Sequence, residues 1–201
     1  MTEMLHIAQK LNWRHFFSLR LSKTGLVSSD EIERFIKELI GDKEFIDLER
    51  PFVVSATDIK TGELMELKKG SVAKAVRISC SFPWMYTPVR HEGRMLVDGC
   101  LKANLPVHPM KAMGADVIIA VDVIPRVAME VEPKNIVEVF DRSLDLLFIT
   151  QSEKAAKDAD YVIYPIQKPV TSLELNRGKE LVEMGEEAAK EVIPFIKSKL
   201  L

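Results

Sequence analysis

"DVIIAVDVI", residues 116–124, is the stretch that most directly indicates the fold class. A short, nearly continuous run of β-branched residues is typical of a strand covered on both faces, as in a parallel sheet. The run is far shorter than the ~20 apolar residues of a membrane-spanning helix, and it contains Asp122. We therefore expect a buried strand of an α/β protein here.

The segments around this strand alternate between helical and extended patterns. A short helix is predicted in residues 106–115, a long amphipathic helix in 135–159, a strand in 160–165 and a final helix in 174–201. This alternation predicts an α/β fold of three α/β/α layers with a mixed, mainly parallel sheet, formed by one domain over residues 1–201. The apolar face of the last helix favours core packing, and contact with a lipid surface is the alternative.

The first half of the chain adds two hairpins and two helices to this pattern. Residues 24–43 predict a helix that begins with a capping box of Ser28 and Glu31 and ends at Gly41. Hairpins are predicted in residues 50–70 and 85–99, where turn residues separate β-forming runs. Between them, residues 71–82 predict a short helix that ends before Pro83.

Composition excludes several classes of function. The formal net charge is −2 with no basic block, which argues against nucleic-acid binding. The two cysteines form no metal-binding pattern, and no Walker or dinucleotide motif is present, so we expect no metal and no cofactor. The first residues lack the pattern of a signal peptide, and reduced thiols suit the cytoplasm, so a cytoplasmic protein is expected.

Asp98, in "MLVDGCLKANLP" (residues 95–106), is the main candidate for chemistry. An Asp-Gly pair is a common turn former, because glycine accepts a positive φ. However, residues 99–105, which include Gly99 and Asn104, are predicted to form a loop at the carboxyl end of a strand, where α/β proteins assemble their sites. The aromatic cluster of residues 82–86, just upstream, favours core packing, with the wall of an apolar pocket as the alternative.

Three stretches together resemble the patatin-like phospholipase family, especially its bacterial esterase-type members. They are residues 52–63, residues 75–107, which end in "VDGCLKANLPV", and residues 114–123. The likeness extends over roughly residues 5–195 and is strongest from Pro51 to Val123.

The resemblance implies a serine–aspartate dyad without histidine. Asp98 and Gly99 align with the family's D-G-[GA] motif, whose aspartate is the base, and Cys100 takes the place of the third residue. "ISCSFP" aligns with a pocket-forming A-S-x-x-x-P stretch, which brings Ser79, Ser81 and Pro83 into the candidate site. The substrates implied are fatty-acyl esters or phospholipids.

The 201 residues contain no G-x-S-x-G nucleophile motif and no glycine-rich oxyanion loop. Our first hypothesis is an N-terminally truncated patatin-like hydrolase portion, inactive alone, whose missing segment was removed, encoded separately or lost to a late start codon. The second is a non-catalytic scaffold or regulatory module, and the third is an enzyme that uses Cys100 or Ser81 as a substitute nucleophile. Loss of neighbouring strands would expose an apolar sheet edge, so we expect a homo-oligomer or a partner-bound chain.

Overall fold

The computed structural model describes residue 7 and residues 27–126, 132–168, 170 and 177–200. By its internal contacts the chain divides into two compact units, one of residues 12–104 and the other of residues 1–11 with 105–201. Each unit has its own cluster of buried apolar side chains. The prediction of a single domain over residues 1–201 stays a prediction.

The first unit contains a four-stranded sheet with helices beside it. Its elements are α1 (Asp30–Ile40), a 3-10 turn (Phe45–Asp47), β1 (Val54–Asp58), β2 (Leu64–Leu67), α2 (Val72–Ser79), β3 (Val89–His91), β4 (Arg94–Asp98) and α3 (Cys100–Ala103). The strand order is β2-β1-β4-β3, and all three pairings are antiparallel. The two predicted hairpins, β1–β2 and β3–β4, therefore form one sheet in which β1 and β4 are the central strands.

Local sequence explains these elements. Alternate residues of β1, including Val54 and Ala56, are buried in a core that α2 completes with Ala75 and Ile78. The β3–β4 hairpin turns at Glu92 and Gly93, both of which have positive φ, as a tight two-residue turn requires.

The start of α1 differs from the predicted capping box. The N-cap residue is Ser29, without a side-chain cap, and the Ser28 Oγ instead accepts the backbone N–H of Asp30 at 3.3 Å. The predicted end is confirmed, because the backbone N–H of Gly41, with φ +76°, donates to Lys37.

The second unit is built around a two-stranded parallel sheet. Its elements are α4 (Val107–Ala112), β5 (Ile119–Val121), α5 (Ile136–Ala156), β6 (Tyr161–Ile163) and α6 (Gly178–Leu200). β5 pairs with β6 in parallel, and the long helix α5 lies between them in sequence, as a parallel connection requires. None of the helices among the described residues is long and apolar enough to cross a bilayer.

In the described part of the chain, the two faces of β5 differ in how far they are covered. Ile118, Ala120 and Asp122 are buried, whereas Ile119, Val121 and Val123 are 46%, 51% and 61% exposed. We call these last three residues the open β5 face. Because side chains alternate along a strand, these three residues lie on one side of a sheet that has only two described strands. The prediction that this strand is buried on both faces is therefore wrong for the described residues.

The α/β class is confirmed, and one expected detail is corrected. Three of the four described strand pairings are antiparallel, so the described strands are not mainly parallel. The physical reason for two of these pairings, β1–β2 and β3–β4, is that short turns at residues 59–63 and 92–93 join the strands, and short connections permit only antiparallel pairing. The third pairing, β1–β4, joins the two hairpins. The strand predicted within residues 116–124 is the expected parallel one.

Candidate active site around Asp98

Asp98 is the last residue of β4, where the sheet gives way to α3. It lies opposite Ala56 of β1 in the antiparallel register. Its backbone N–H donates to the carbonyl oxygen of Ser81 at 3.1 Å, and its Oδ1 accepts the backbone N–H of Cys100 at 2.9 Å. The aspartate is therefore fixed on both sides, by the segment after α2 and by the first turn of α3.

Gly99 is required by a close backbone approach. Its φ is −68°, so the positive φ that glycine accepts in Asp-Gly turns is not used here. A Cβ at this position would lie 2.5 Å from the carbonyl oxygen of Ser55 and 2.7 Å from the carbonyl carbon. Any side chain would thus collide with the main chain of β1, and glycine is what allows β4 to run directly into α3 at this point.

Ser81 has a structural role in the described site. The residue is fully buried, and its Oγ lies 2.8 Å from both the Ser29 Oγ and the carbonyl oxygen of Arg77. Because a carbonyl only accepts, the Ser81 hydroxyl donates to Arg77, and the Ser29 hydroxyl donates to Ser81. These contacts argue against Ser81 as a substitute nucleophile and instead fix the carbonyl that holds Asp98.

The Arg77 guanidinium extends this network to α1. Its Nε donates to the Ser29 Oγ at 3.1 Å, and its Nη1 lies 2.6 Å from Asp30 and 3.0 Å from Glu33. A single arginine thereby ties α1 to the segment that carries Ser81. The backbone beside Asp98 is thus positioned by side chains of α1, of α2 and of the segment after α2.

Burial raises the pKa of the Asp98 carboxyl above its ordinary value, whereas hydrogen bonds from the backbone and thiol of Cys100 oppose the rise. A raised pKa makes the carboxylate a better proton acceptor. This is the property that a base without a histidine needs, because an ordinary carboxylate is a weak base at neutral pH.

Both cysteines of the chain lie near this carboxylate. Burial, and then the charge of Asp98, raise the pKa of the Cys100 thiol. Cys80 is exposed when the whole residue is considered. Burial of its thiol, and then the charge of Asp98, nevertheless raise the pKa of that thiol to about 11. Both thiols are neutral at neutral pH, which argues against Cys100 as a substitute nucleophile.

The other predicted site residues lie on the segments that flank Asp98. Ser79 is the half-buried last residue of α2, Pro83 opens the turn after it, and the half-buried Asn104 follows α3. The described hydrogen bonds to Asp98 bring together Asp98, Ser81 and Cys100.

The aromatic cluster of residues 82–86 is mainly core. Phe82, Met85 and Tyr86 pack with Val27 and Ile32, which confirms the core interpretation for these three. Trp84 is the exception, because it is 42% exposed and has a φ of +66°.

Sequence reasoning missed two contributions to this site. The approach of Ser55 to Gly99 and the Ser29–Arg77–Ser81 network both join residues far apart in sequence, and no local pattern indicates either. Among the described residues there is no group of three histidine, cysteine or acidic side chains that could hold a metal ion.

Comparison with known families and proteins shows which family the sequence matches. The family model described as patatin-like phospholipase matches residues 2–111, which include all of β1 to β4 and the Asp98 segment. The match ends within α4.

Three relatives illustrate the breadth of the similarity. An uncharacterized NTE family protein of Mycobacterium bovis is 29% identical over 122 residues, which are 59% of this chain and 34% of that protein. The lysophospholipase nte1 of Emericella nidulans is 34% identical and that of Aspergillus fumigatus 35%, each over 111 residues, which are 55% of this chain and 7% of the relative. The chain spans about a third or less of the length of these curated relatives.

Proposed function

Because the chain belongs to the patatin-like phospholipase family, we propose that it provides the aspartate base of a serine–aspartate acyl-ester hydrolase acting on lipids. The observation that carries the proposal is the position of Asp98 at the end of β4, where it is partly buried and held by hydrogen bonds to Ser81 and Cys100. Burial there raises the pKa of its carboxyl group. The names of the fungal relatives, which are lysophospholipases, support an ester of a fatty acid as the substrate class.

The proposed reaction needs a partner that is not among the 201 residues. A serine hydroxyl attacks the ester carbonyl while its proton passes to the Asp98 carboxylate, and the alcohol then leaves with that proton. A water molecule then attacks the acyl-serine carbonyl while its proton passes to Asp98, the bond to the serine oxygen breaks, and the proton returns to that oxygen as the fatty acid is released. The sequence has no G-x-S-x-G, so the proposal assigns the serine and the oxyanion donors to polypeptide outside these residues.

Two measurements test the proposal. Reading the coding DNA around this reading frame shows whether a G-x-S-x-G segment adjoins it or is encoded nearby, as we expect. In a protein that contains both parts, Asp98→Asn lowers kcat for a p-nitrophenyl acyl ester by about 10² to 10⁴-fold, the usual contribution of a positioned base. Asp42→Asn, at a carboxylate whose side chain is 79% exposed, is the matched control and leaves kcat unchanged.

The isolated 201-residue chain is expected to show no turnover above background. Turnover of the chain alone that depends on Asp98 would contradict the assignment of the nucleophile to other polypeptide. Full activity of Asp98→Asn in the complete protein would contradict the role of the base. The absence of any G-x-S-x-G partner would favour a non-catalytic scaffold or regulatory module instead.

A further inference from the structure

The helix α5 presents an apolar face on the side opposite to the core of its unit. On its inward side Phe148 and Ser152 are buried, and Ala155 packs against the apolar cluster that includes β5 residues. The outward side carries five large apolar residues that are between 46% and 85% exposed, namely Ile136, Val139, Phe140, Leu146 and Leu147. Because they recur at spacings of three and four residues, they form one stripe along the helix. We call these five residues the α5 stripe.

The hydroxyl groups of Ser143 and Thr150, which lie along the α5 stripe, are bonded within the helix. The Ser143 Oγ donates to the carbonyl oxygen of Val139 at 2.7 Å, and the Thr150 Oγ1 donates to that of Leu146 at 3.0 Å. Covering the stripe therefore leaves neither hydroxyl without an acceptor. An exposed apolar surface of this kind, about four helical turns long, is typical of an interaction site.

We propose that the α5 stripe is the surface through which the chain pairs with a second copy of itself, with the two α5 helices antiparallel across a two-fold axis beside Ser143. A two-fold interface uses the same surface on both copies, so its pattern must be self-complementary. Phe140 and Leu146 lie three residues to either side of Ser143. Val139 and Leu147 lie four residues to either side. The small serine at the centre lets the helices approach closely, and the large side chains fill the space on both sides of it.

The same arrangement brings opposite charges together at its two ends. Lys154 lies eleven residues after Ser143, and Glu132 lies eleven residues before it. Both side chains belong to exposed residues, so the lysine of one copy is placed toward the glutamate of the other copy. Complementary charges at the rim of an interface favour one orientation of the partners over others. Here they favour the antiparallel orientation.

The size of the α5 stripe fits a pair of copies. Its residues are about half exposed or more, so together they present on the order of 500 Å² of surface, a size at which exposed patches mark interaction sites. Covering the stripe on both copies buries about 1,000 Å² in total, which is where specific protein interfaces begin.

The charges beside the stripe disfavour a lipid surface as the occupant. Helices that lie on membranes carry lysine and arginine on their polar face. The first half of α5 instead has three carboxylates, Glu138, Asp141 and Asp145, beside one arginine, Arg142. This excess of negative charge is repelled by the anionic lipids to which such helices bind.

The direct test is the molar mass of the 201-residue chain at micromolar concentration, measured by size-exclusion chromatography with light scattering. We expect a dimer for the wild type and a monomer for Leu147→Glu, because pairing would bury an uncompensated carboxylate on each copy. Leu147 is 65% exposed in the single chain, so far-UV circular dichroism should be unchanged. Ile46→Glu, at an isoleucine that is 89% exposed in the first unit, is the matched control and should remain a dimer.

A cross-link tests the antiparallel register. Ser143→Cys places a thiol beside the axis, where it meets the same residue of the second copy, and mild oxidation should link the two chains there. Ser198→Cys is the matched control, because Ser198 is an exposed serine of α6 whose hydroxyl also donates to a carbonyl of its own helix. We expect no more linked dimer from it than from the wild type. Peptide mass spectrometry distinguishes these links from any through Cys80, which is exposed.

The following results would overturn the proposal. The first is a wild-type monomer, whether its stripe then binds phosphatidylcholine vesicles, a polypeptide with G-x-S-x-G or nothing. The second is a dimer that Val123→Glu dissociates and Leu147→Glu does not, because the contact would then lie on the open β5 face. The third is a dimer that depends on Leu147 but gives no link through residue 143. None of these measurements involves ester hydrolysis, so their outcome is independent of the proposed function.

Discussion

Gly99→Ala is the substitution that most sharply tests the structure around Asp98. The added Cβ would lie 2.5 Å from the Ser55 carbonyl oxygen, which is 0.9 Å short of the 3.4 Å at which ordinary contacts begin. The colliding atoms belong to the main chain, so no side-chain rotation relieves them. β1 cannot simply move away, because its other edge is paired with β2 from Val54 to Thr57.

The expected cost follows from this geometry. Overpacking of a well-packed interior costs about 1–3 kcal/mol, and a collision with main chain in a central strand belongs at the upper end, so we expect a loss of about 3 kcal/mol. Urea denaturation followed by far-UV circular dichroism measures the change in unfolding free energy. Amide hydrogen exchange shows where in the chain the destabilisation occurs, and we expect faster exchange in both β1 and β4.

Gly185→Ala is the matched control for this prediction. Gly185 lies inside α6, and a Cβ there would meet nothing within 4 Å. The same chemical change should therefore stabilise the chain by up to about 1 kcal/mol, because alanine is the better helix former. A loss below about 0.5 kcal/mol for Gly99→Ala would refute the close approach and leave Gly99 as an ordinary turn residue.

Two further predictions concern the second unit. Burial, and then the neighbouring Asp141 carboxylate, raise the pKa of the Asp145 carboxyl to about 6. The folded state therefore binds the carboxyl proton more tightly than the unfolded state does. As a result, the stability of the folded state falls as pH rises from about 4 to about 6. Asp145→Asn should therefore stabilise the chain by on the order of 1–2 kcal/mol at pH 7, a figure reduced because the side chain is 23% exposed. Below pH 4 the substitution should have no effect on stability. Equal urea midpoints of the variant and the wild type at both pH values would contradict this prediction. The open β5 face predicts an oligomeric or partner-bound chain, and a monodisperse monomer by light scattering at micromolar concentration would count against it.

The sequence predicts the local elements well. Periodicity and turn residues indicate both hairpins, α2 with its stop before Pro83, and the parallel strand within residues 116–124. These features depend on neighbouring residues, which a single sequence displays directly. The pairing of β1 with β4 is not predicted, because it depends on how the two hairpins meet in space.

The site is predicted in part for the same reason. The position of Asp98 at a strand end follows from the local pattern, and its role follows from the family resemblance. The contacts that hold it do not, since Ser29 and Ser55 are distant in sequence from Ser81 and Gly99. The short helix α3, in what the sequence predicts to be a loop, also depends on this tertiary packing.

The main-chain contact at Gly99 sets how this site can change over evolution. Position 99 leaves no volume for any side chain, whereas position 100 already accepts a thiol where the related motif has glycine or alanine. A substitution beside the carboxylate is therefore better tolerated at residue 100, whose contact with Asp98 is made by its backbone N–H. The course of the backbone at Asp98 thus depends on the absence of a side chain at residue 99, whereas the side chain of residue 100 can change while its backbone contact with the carboxylate is kept.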